Sequence, residues 1–540
     1  MSRLREGIAE AAGRPAFPLR WSVREVEEDL ARRLARDIGA PPLLGRLLLL
    51  RGVREAAEAR AFLAASLDSL HDPFLMKGME EAAGHLARQV LEGRPIGVYG
   101  DYDVDGISAT ALLQRFFSSL GLRSPYYIPH RLREGYGLHS EGLRRLREEG
   151  CETVVTVDCG ITGAEAAEEA RRMGIALIVT DHHRPPERLP DALAVLNPHQ
   201  PGCGYPFADL SGVGVAFKLA AAVRRRLHDA GFSGELPNLR QHLDLVALGT
   251  VADVVPLLGE NHVMVRTGLE LLSPPKGDGR GPPPADPRKA GVRALIAAAD
   301  LKADALTAGH VGFTLGPRLN AAGRVGDPRT GVELLTSLDA VWARACAEKL
   351  EEWNRQRRDL QEEALEEAAA QLAEGPPPAE RGAIVLASDR WHPGVIGIVA
   401  SRLVEEHLRP VILVHFDGEE GKGSGRGAPG FHLYDALARC ADLLVQFGGH
   451  KAAAGLTVRR DQFEAFCARF EEEARARARG AEADPAPGLE LDAEVDFAEL
   501  DLPLLERLEG MAPFGMRNPR PLFAAGGVEA AGSPGVVGKG

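Results

Sequence analysis

Three stretches of this 540-residue chain each read as a short apolar strand that runs straight into aspartate or histidine. Residues 95–100 lead into Asp101, Asp103 and Asp105, which alternate with Tyr102 and Val104 before Gly106. Residues 153–157 lead into Asp158, Cys159 and Gly160, and residues 175–180 into Asp181, His182 and His183. In an open α/β sheet the ligand crevice lies at the carboxyl ends of the strands. Three such ends bring five carboxylates and two imidazoles into one place. Unpaired like charges in a shared site repel and desolvate poorly, so the cluster implies cations. The chain is expected to be an α/β metalloenzyme built on a parallel sheet.

Competing readings of the aspartate run are weaker. It opens like a calcium-binding EF-hand loop, but the twelfth position is Leu112 instead of a bidentate Glu, and a strand precedes it. A phosphoaspartyl-transferase pattern fails because the fifth residue is Asp105. Capping of a helix beginning near Ile107 accounts for one aspartate, not for three in alternation. Asp158 taken alone fits a turn or cap as well as a ligand. Imidazole beside carboxylate at 181–183 suits Mn²⁺ and similar metals. Adjacent side chains diverge at a strand end, so one histidine can ligate metal while its neighbour meets substrate. A fourth element, residues 248–256, sets Asp253 beside another apolar run. Two cations about 4 Å apart, bridged by a carboxylate, make a phosphoryl-transfer site.

Around this pattern the chain divides into several units. Residues 1–60 read as a helical arm rich in Arg, Glu and Leu. Residues 61–338 hold a βαβα pattern with helices near 108–120 and 164–173, then a Pro/Gly-rich exposed connection at 273–287. Residues 339–374 lack Gly and Pro and predict one helix about 50 Å long at ~1.5 Å per residue. A Gly-Pro-Pro-Pro run at 375–378 ends it. A second α/β unit spans 376–484, from a strand at 383–387 to a charged helix at 462–479. Residues 481–488 read as a linker, and residues 485–540 as a final, incomplete domain of strands. Within the second unit, residues 423–427 and 447–451 read as Gly-rich turns whose N–H groups can approach phosphate, with Arg426 as a bidentate fork.

Composition excludes little further. The six cysteines form no CxxC pair, against a disulfide scaffold or thiolate zinc site and for a reducing cytosol. No signal-peptide core or membrane-length apolar run is present, so a cytoplasmic protein without membrane contact is expected. The net charge of −13 argues against nucleic acid, but binding depends on local clusters. Arginines do cluster, at 131 and 133, at 224–226, at 355, 357 and 358, and at 459–460.

These residues in this order resemble the DHH phosphoesterase superfamily and, within it, the RecJ single-stranded-DNA exonucleases. The resemblance is carried by residues 100–106, 157–160, 181–183 and 249–253. Further RecJ-like stretches lie at 127–131, 134–137, 316–324, 391–397, 423–426, 447–450 and 511–519, so the likeness covers about residues 60–540. It implies a DHH domain and a smaller DHH-associated domain joined by a long helix, with a C-terminal OB β-barrel. It implies 5′→3′ degradation of single-stranded DNA to mononucleotides with Mn²⁺ or Mg²⁺, in recombination and repair. On these positions, Asp101 and Asp103 hold one cation. Asp105, His182 and Asp253 hold the other, Asp158 bridges, and His183 meets the scissile phosphate. Arg131, Ser424 and Arg426 hold the 5′ end, Arg318 and Asn320 hold the strand, and His450 adds a phosphate contact. Single-strand-binding protein and a helicase are the implied partners of a monomer. One departure stands out: many DHH phosphatases carry His where this chain has Tyr99, which leaves one cation short of a ligand. The alternatives are a small-substrate DHH phosphatase or oligonucleotidase, and a non-catalytic replication-associated relative.

Overall fold

Five short runs of β-branched and aliphatic residues line up side by side: Ile96–Gly100 (β1), Tyr126–Tyr127 (β2), Thr153–Val157 (β3), Ala176–Thr180 (β4) and Ala194–Leu196 (β5). In this computed structural model, which describes residues 20–273, 286–302, 305–479 and 488–529, they form one parallel sheet of order β2-β1-β3-β4-β5. Every residue of β1 and β3 is buried, as expected for strands covered on both faces. Val98, Val155, Val157 and Ile178 pack toward the helices Met79–Leu91, Val104–Ser119 and Gly212–Asp229. Tyr99, Val154, Leu177 and Val179 face the helices Ser140–Glu148 and Ala164–Arg172. The strand order reverses between β1 and β3, and a ligand crevice opens at such a point. β1 delivers Asp101 there, and β3 delivers Asp158.

The predicted long helix is Ala340–Ala373, capped by Asp339 through the Val341 N–H. Ala343, Cys346, Ala347 and Leu350 join the core of the first sheet's domain, whereas Ala364, Ala368 and Leu372 join that of the second. Its middle turns therefore bridge the two cores.

The second sheet contains Ile384–Ser388 (β6), Val411–Asp417 (β7), Glu420–Arg426 (β8), Gln446–Gly449 (β9) and Ala453–Arg459 (β10), ordered β9-β10-β8-β7-β6. β6 and β7 are parallel and the rest antiparallel. The Gly-rich segment 423–427 is not the expected turn; residues 423–426 are part of β8, and residues 447–449 part of β9. The glycines of β8 answer to crowding. A Cβ on Gly421 would meet the Phe416 ring at 2.6 Å, and one on Gly423 would meet Leu456 at 2.8 Å.

The arm departs from expectation as well. It carries helices Glu28–Asp37, Pro42–Leu50 and Ala56–Ala64, but a strand, Arg20–Val23, precedes them and pairs in parallel with Gly488–Leu491. Leu44, Leu47, Leu48 and Phe62 of the arm share a core with Met511. A second short parallel pair joins Ala493–Glu494 to Phe523–Ala524. Residues 274–285, 480–487 and 530–540, which hold most of both expected connections and the chain's last strand signal, lie outside the described residues.

The helix Gly212–Asp229 is held in place by a buried ion pair. The Lys218 ammonium donates to Glu260, which also accepts from the Tyr205 hydroxyl at 2.6 Å and the His71 N–H at 2.8 Å. Removing one member leaves the other charged and dry. Glu260→Ala is expected to destabilise the protein by about 3–5 kcal/mol, to be checked by urea unfolding.

Candidate active site

The aspartate run works because a helix begins inside it. Asp103 is the N-cap of Val104–Ser119 and accepts from the Gly106 N–H at 3.0 Å. The helix starts three residues before the expected Ile107, which places Asp105 in its first turn. Asp105 then meets a second helix end, accepting from the Gly212 and Val213 N–H groups at 2.6 and 3.0 Å. Amides at a helix start favour an anion there.

Asp158 follows β3 in the left-handed region, at φ 60, where a non-glycine residue is strained. Gly212 fits against it, because a Cβ there would lie 2.6 Å from the Asp158 Cβ. Gly249 permits a like approach to Asp105. Asp253 is the C-cap of Leu243–Ala252, a helix buried on nearly all sides, which is why its sequence shows no helical period.

The two histidines diverge as expected. The His182 side chain is 11% exposed and its Nε2 lies 3.2 Å from Asp158, 3.4 Å from Asp253 and 4.0 Å from Asp105. The His183 side chain is 41% exposed, with Nδ1 2.8 Å from the Asp181 carboxylate and 3.1 Å from the Tyr136 hydroxyl. Asp181 also accepts from the Ile161, His182 and His183 N–H groups. It is a brace for His183, with its oxygens already used.

Potential ligand atoms converge in three groups: Asp101 with Asp103 and Asp158, Asp105 with His182 and Asp253, and Asp158 with His182 and His183, each within 4.8 Å. The first two groups match the ligand sets implied for the two cations, with Asp158 beside both. One oxygen each of Asp101 and Asp158, and Nε2 of His182, are buried without a hydrogen-bond partner. Although 3.2 Å apart, the Asp158 and His182 atoms are not aligned for a hydrogen bond. Buried polar atoms left unpaired need a partner, and carboxylate with neutral imidazole suits a divalent cation.

The electrostatics agree. Burial pushes Asp101 and Asp158 well above the usual carboxylate range, aided by neighbouring aspartates. Burial with Asp103 nearby raises Asp105 to about 7, against the Val213 and Gly212 amides. Burial with Asp105 and Asp103 raises Asp253 to about 9. Burial, with His183 adding to it, lowers His182 to about 4, so its Nε2 is free to ligate at neutral pH. For His183 burial acts downward, but the Asp181 hydrogen bond and charge outweigh it and hold it above its usual value.

The other expected residues divide. Arg131 lies over the Tyr102 ring at 5.1 Å, beside the cluster. Arg426 donates to the Ser424 hydroxyl at 3.1 Å, and both face Gly397 at the start of the helix Ile396–His407. Arg318 is bound internally, to Glu351 of the long helix and to the Thr314 carbonyl. Asn320 accepts from the Val104 N–H at 3.2 Å and so steadies the aspartate loop. His450 is exposed beyond β9, two strands from Arg426, about 10 Å at ~4.8 Å per strand. Tyr99 points to the far face, donating to the Gly137 carbonyl and accepting from the His139 N–H, so it offers the cluster nothing. Asp181, counted from the sequence among the carboxylates that gather around cations, is in none of the three ligand groups and braces His183 instead, and sequence reasoning assigned no role to Tyr136 or Arg324, although each lies in a quoted motif.

Three family models match the chain: the DHH family, N-terminal domain, over residues 95–250, the DHHA1 domain over 380–476 and the RecJ OB domain over 491–540. The single-stranded-DNA-specific exonuclease RecJ of Dickeya dadantii is 40% identical over 500 residues, covering 89% of this chain and 83% of that protein. The chain belongs to the RecJ family. The Bacillus subtilis RecJ is 36% identical over 94% of this chain, and this chain spans 61% of its length. A crystal structure of Thermus thermophilus RecJ in complex with Mn²⁺ superposes with a TM-score of 0.78 at 33% identity, covering 94% of this chain and 69% of that one. That RecJ carries Mn²⁺ agrees with the acidic and imidazole ligand set assembled here. No helix among the described residues is long and apolar enough to cross a membrane.

The raised carboxylates fix a pH dependence. Asp105 and Asp253 bind protons more tightly folded than unfolded, where a carboxyl titrates near 3.8. Without metal, the folded form therefore holds more protons between about pH 4 and 9, and stability falls as pH rises. In chelator the thermal midpoint should drop from about pH 5 to 9, and Mn²⁺ should flatten that slope. A chelated protein with a midpoint rising over that range would contradict the assignment.

Proposed function

We infer that this chain is a metal-dependent 5′→3′ exonuclease that degrades single-stranded DNA to mononucleotides. The observation that carries the reading is the pairing of an acidic two-cation ligand set with an arginine-lined pocket across one cleft. Family membership supports it, as does the name of its relatives. Asp101, Asp103, Asp105, Asp158, His182 and Asp253 are the residues to hold Mn²⁺ or Mg²⁺. Bound there, such cations neutralise the phosphodiester and lower the pKa of a water.

The chain's own groups do the remainder. His183, held in one orientation by Asp181 and leaning toward its charged form, donates a hydrogen bond to the scissile phosphate. Ser424, Arg426 and Arg131 take the 5′-terminal phosphate, with His450 at the rim and the start of the helix Ile396–His407 adding its amides. Breaking the P–O3′ bond releases a 5′-mononucleotide and leaves a new 5′-phosphate, so the same pocket refills at each turn. Arg318 contributes to the strand path once released from Glu351, and Asn320 acts through the aspartate loop. The working units are an arm at 1–60, the catalytic domain at 61–338, the helix at 339–375, the substrate-binding domain at 376–484 and an OB portion at 485–540. Action in recombination and repair as a cytoplasmic monomer, with single-strand-binding protein and a helicase nearby, completes the reading.

Asp158→Ala should abolish both ligand sets at once. Activity should fall by at least ~10³-fold while far-UV circular dichroism is kept. Near-normal digestion by the folded variant would sink the two-cation reading. A second test concerns the end: Arg426→Ala should shrink the preference for a 5′-phosphate over a 5′-hydroxyl, because the fork is lost. Equal turnover of dinucleotides and long strands by the parent would favour an oligonucleotidase instead.

A further inference from the structure

The helix Val104–Ser119 starts at the aspartate cluster and ends, about 24 Å away at ~1.5 Å per residue, at a second polar cavity. Arg115, Asn238, Gln241, His242, Lys289 and Leu338 line this cavity, whose volume is about 520 Å³. Arg288 and Asp286 sit on its wall and neutralise each other through hydrogen bonds of 3.0 and 3.1 Å. Glu235, also on the wall, is exposed.

Deeper in, one carboxylate serves two cations. The Asp244 side chain is fully buried, and those of Arg115 and Lys289 are 10% and 12% exposed. The Lys289 ammonium donates to Asp244 and to the Gln241 carbonyl, which leaves one of its three protons over. Arg115 spends Nε and Nη2 on the Leu335 carbonyl, and its Nη1 is 3.6 Å from Asp244, beyond hydrogen-bond reach. The group therefore carries an excess positive charge, unlike the one-to-one Lys218–Glu260 pair. Burial pulls both Arg115 and Lys289 below their usual values, although Asp244 acts upward on each. A buried charge without a counter-charge is costly, so the group lacks an anion. Beside it His242 is 8% exposed, with Nδ1 buried and without a partner. Burial, with Arg115 nearby, lowers it to about 4, so its ring is neutral at ordinary pH.

We propose that this cavity binds a small phosphomonoester, its phosphate held by Arg115 and Lys289 and its body by Asn238, Gln241 and His242 against Leu338. A guanidinium and an ammonium at one spot suit a phosphate. The volume leaves room for a sugar and a base, and side-chain amides with an apolar wall suit such a body. A mononucleotide has this chemistry. That the ligand is the mononucleotide released by this chain rests on the nuclease reading; the phosphate chemistry of the cavity does not.

The test is isothermal titration calorimetry of the full chain in chelator. Every protein carries Arg426→Ala, which disables the terminal-phosphate pocket. The titrants are dAMP, deoxyadenosine and inorganic phosphate. The Arg426→Ala parent should bind dAMP at one site, and deoxyadenosine at least about tenfold more weakly, the scale of one charge-assisted contact. Lys289→Gln leaves Asp244 paired one to one with Arg115 and should weaken both dAMP and phosphate about tenfold. Asn238→Ala, at an exposed position, should weaken dAMP about threefold and leave phosphate unchanged. A folded Lys289→Gln protein that binds dAMP as tightly as its parent overturns the site, as does an Asn238→Ala protein with unaltered dAMP affinity. So does a parent that binds neither phosphate nor dAMP, or one that binds deoxyadenosine as well as dAMP. A chain that binds dAMP here but digests no single strand in Mn²⁺ supports the cavity and overturns the nuclease reading as the source of its ligand.

Discussion

Mutual repulsion among the carboxylates at the reversal of strand order is the constraint that the catalytic domain is arranged around. Asp101, Asp105 and Asp158 are all nearly inaccessible to water, and burial, with like-charged neighbours, raises their pKa values and opposes their ionisation. The domain tolerates this through backbone amides and close packing. Asp105 rests on the start of one helix and Asp103 caps another. Asp158 is held in a left-handed conformation by glycine-permitted contact with the helix beginning at Gly212. That helix is fixed in turn by the Lys218–Glu260 pair, so a buried ion pair remote from the chemistry holds the ligand geometry. Cations that bind only the folded form would remove the repulsion and stabilise it.

The two histidines show how one strand end serves two roles. Asp181 precedes them and accepts from both of their amides, which fixes the backbone. His182 then turns inward, where burial keeps it neutral, and His183 turns outward, where Asp181 favours its charged form. One neutral ligand and one proton-bearing group thus arise from adjacent residues of the same type. The difference lies entirely in what surrounds each ring.

Much of this was legible in the sequence because it is local. A strand ending in acid, a helix without breakers and a histidine pair at a strand end are short-range patterns. The long helix came out at its expected ends, with Asp339 and Glu374 as its caps. What was not legible depends on distant neighbours. Gly423 read as a turn former, but it answers to Leu456 on the neighbouring strand. Arg318 and Arg324 are alike in sequence, yet Glu351 on a helix 33 residues away from Arg318 pairs with one and leaves the other free. Tyr99 looked like a lost ligand, but strand alternation turns it to the opposite face.

The charge distribution follows from the two-domain arrangement. A net charge of −13 would repel a polyanion if spread evenly, yet part of it lies in the cluster suited to cations. Beside that cluster stand Arg131, over Tyr102, and Arg324, on the Gly394 carbonyl. The long helix makes this possible. Its ends are anchored in separate cores, and its middle turns span the distance between them. Two cores joined by one helix let Arg131 and Arg426 stand without an ion pair among the described residues while the carboxylates gather elsewhere.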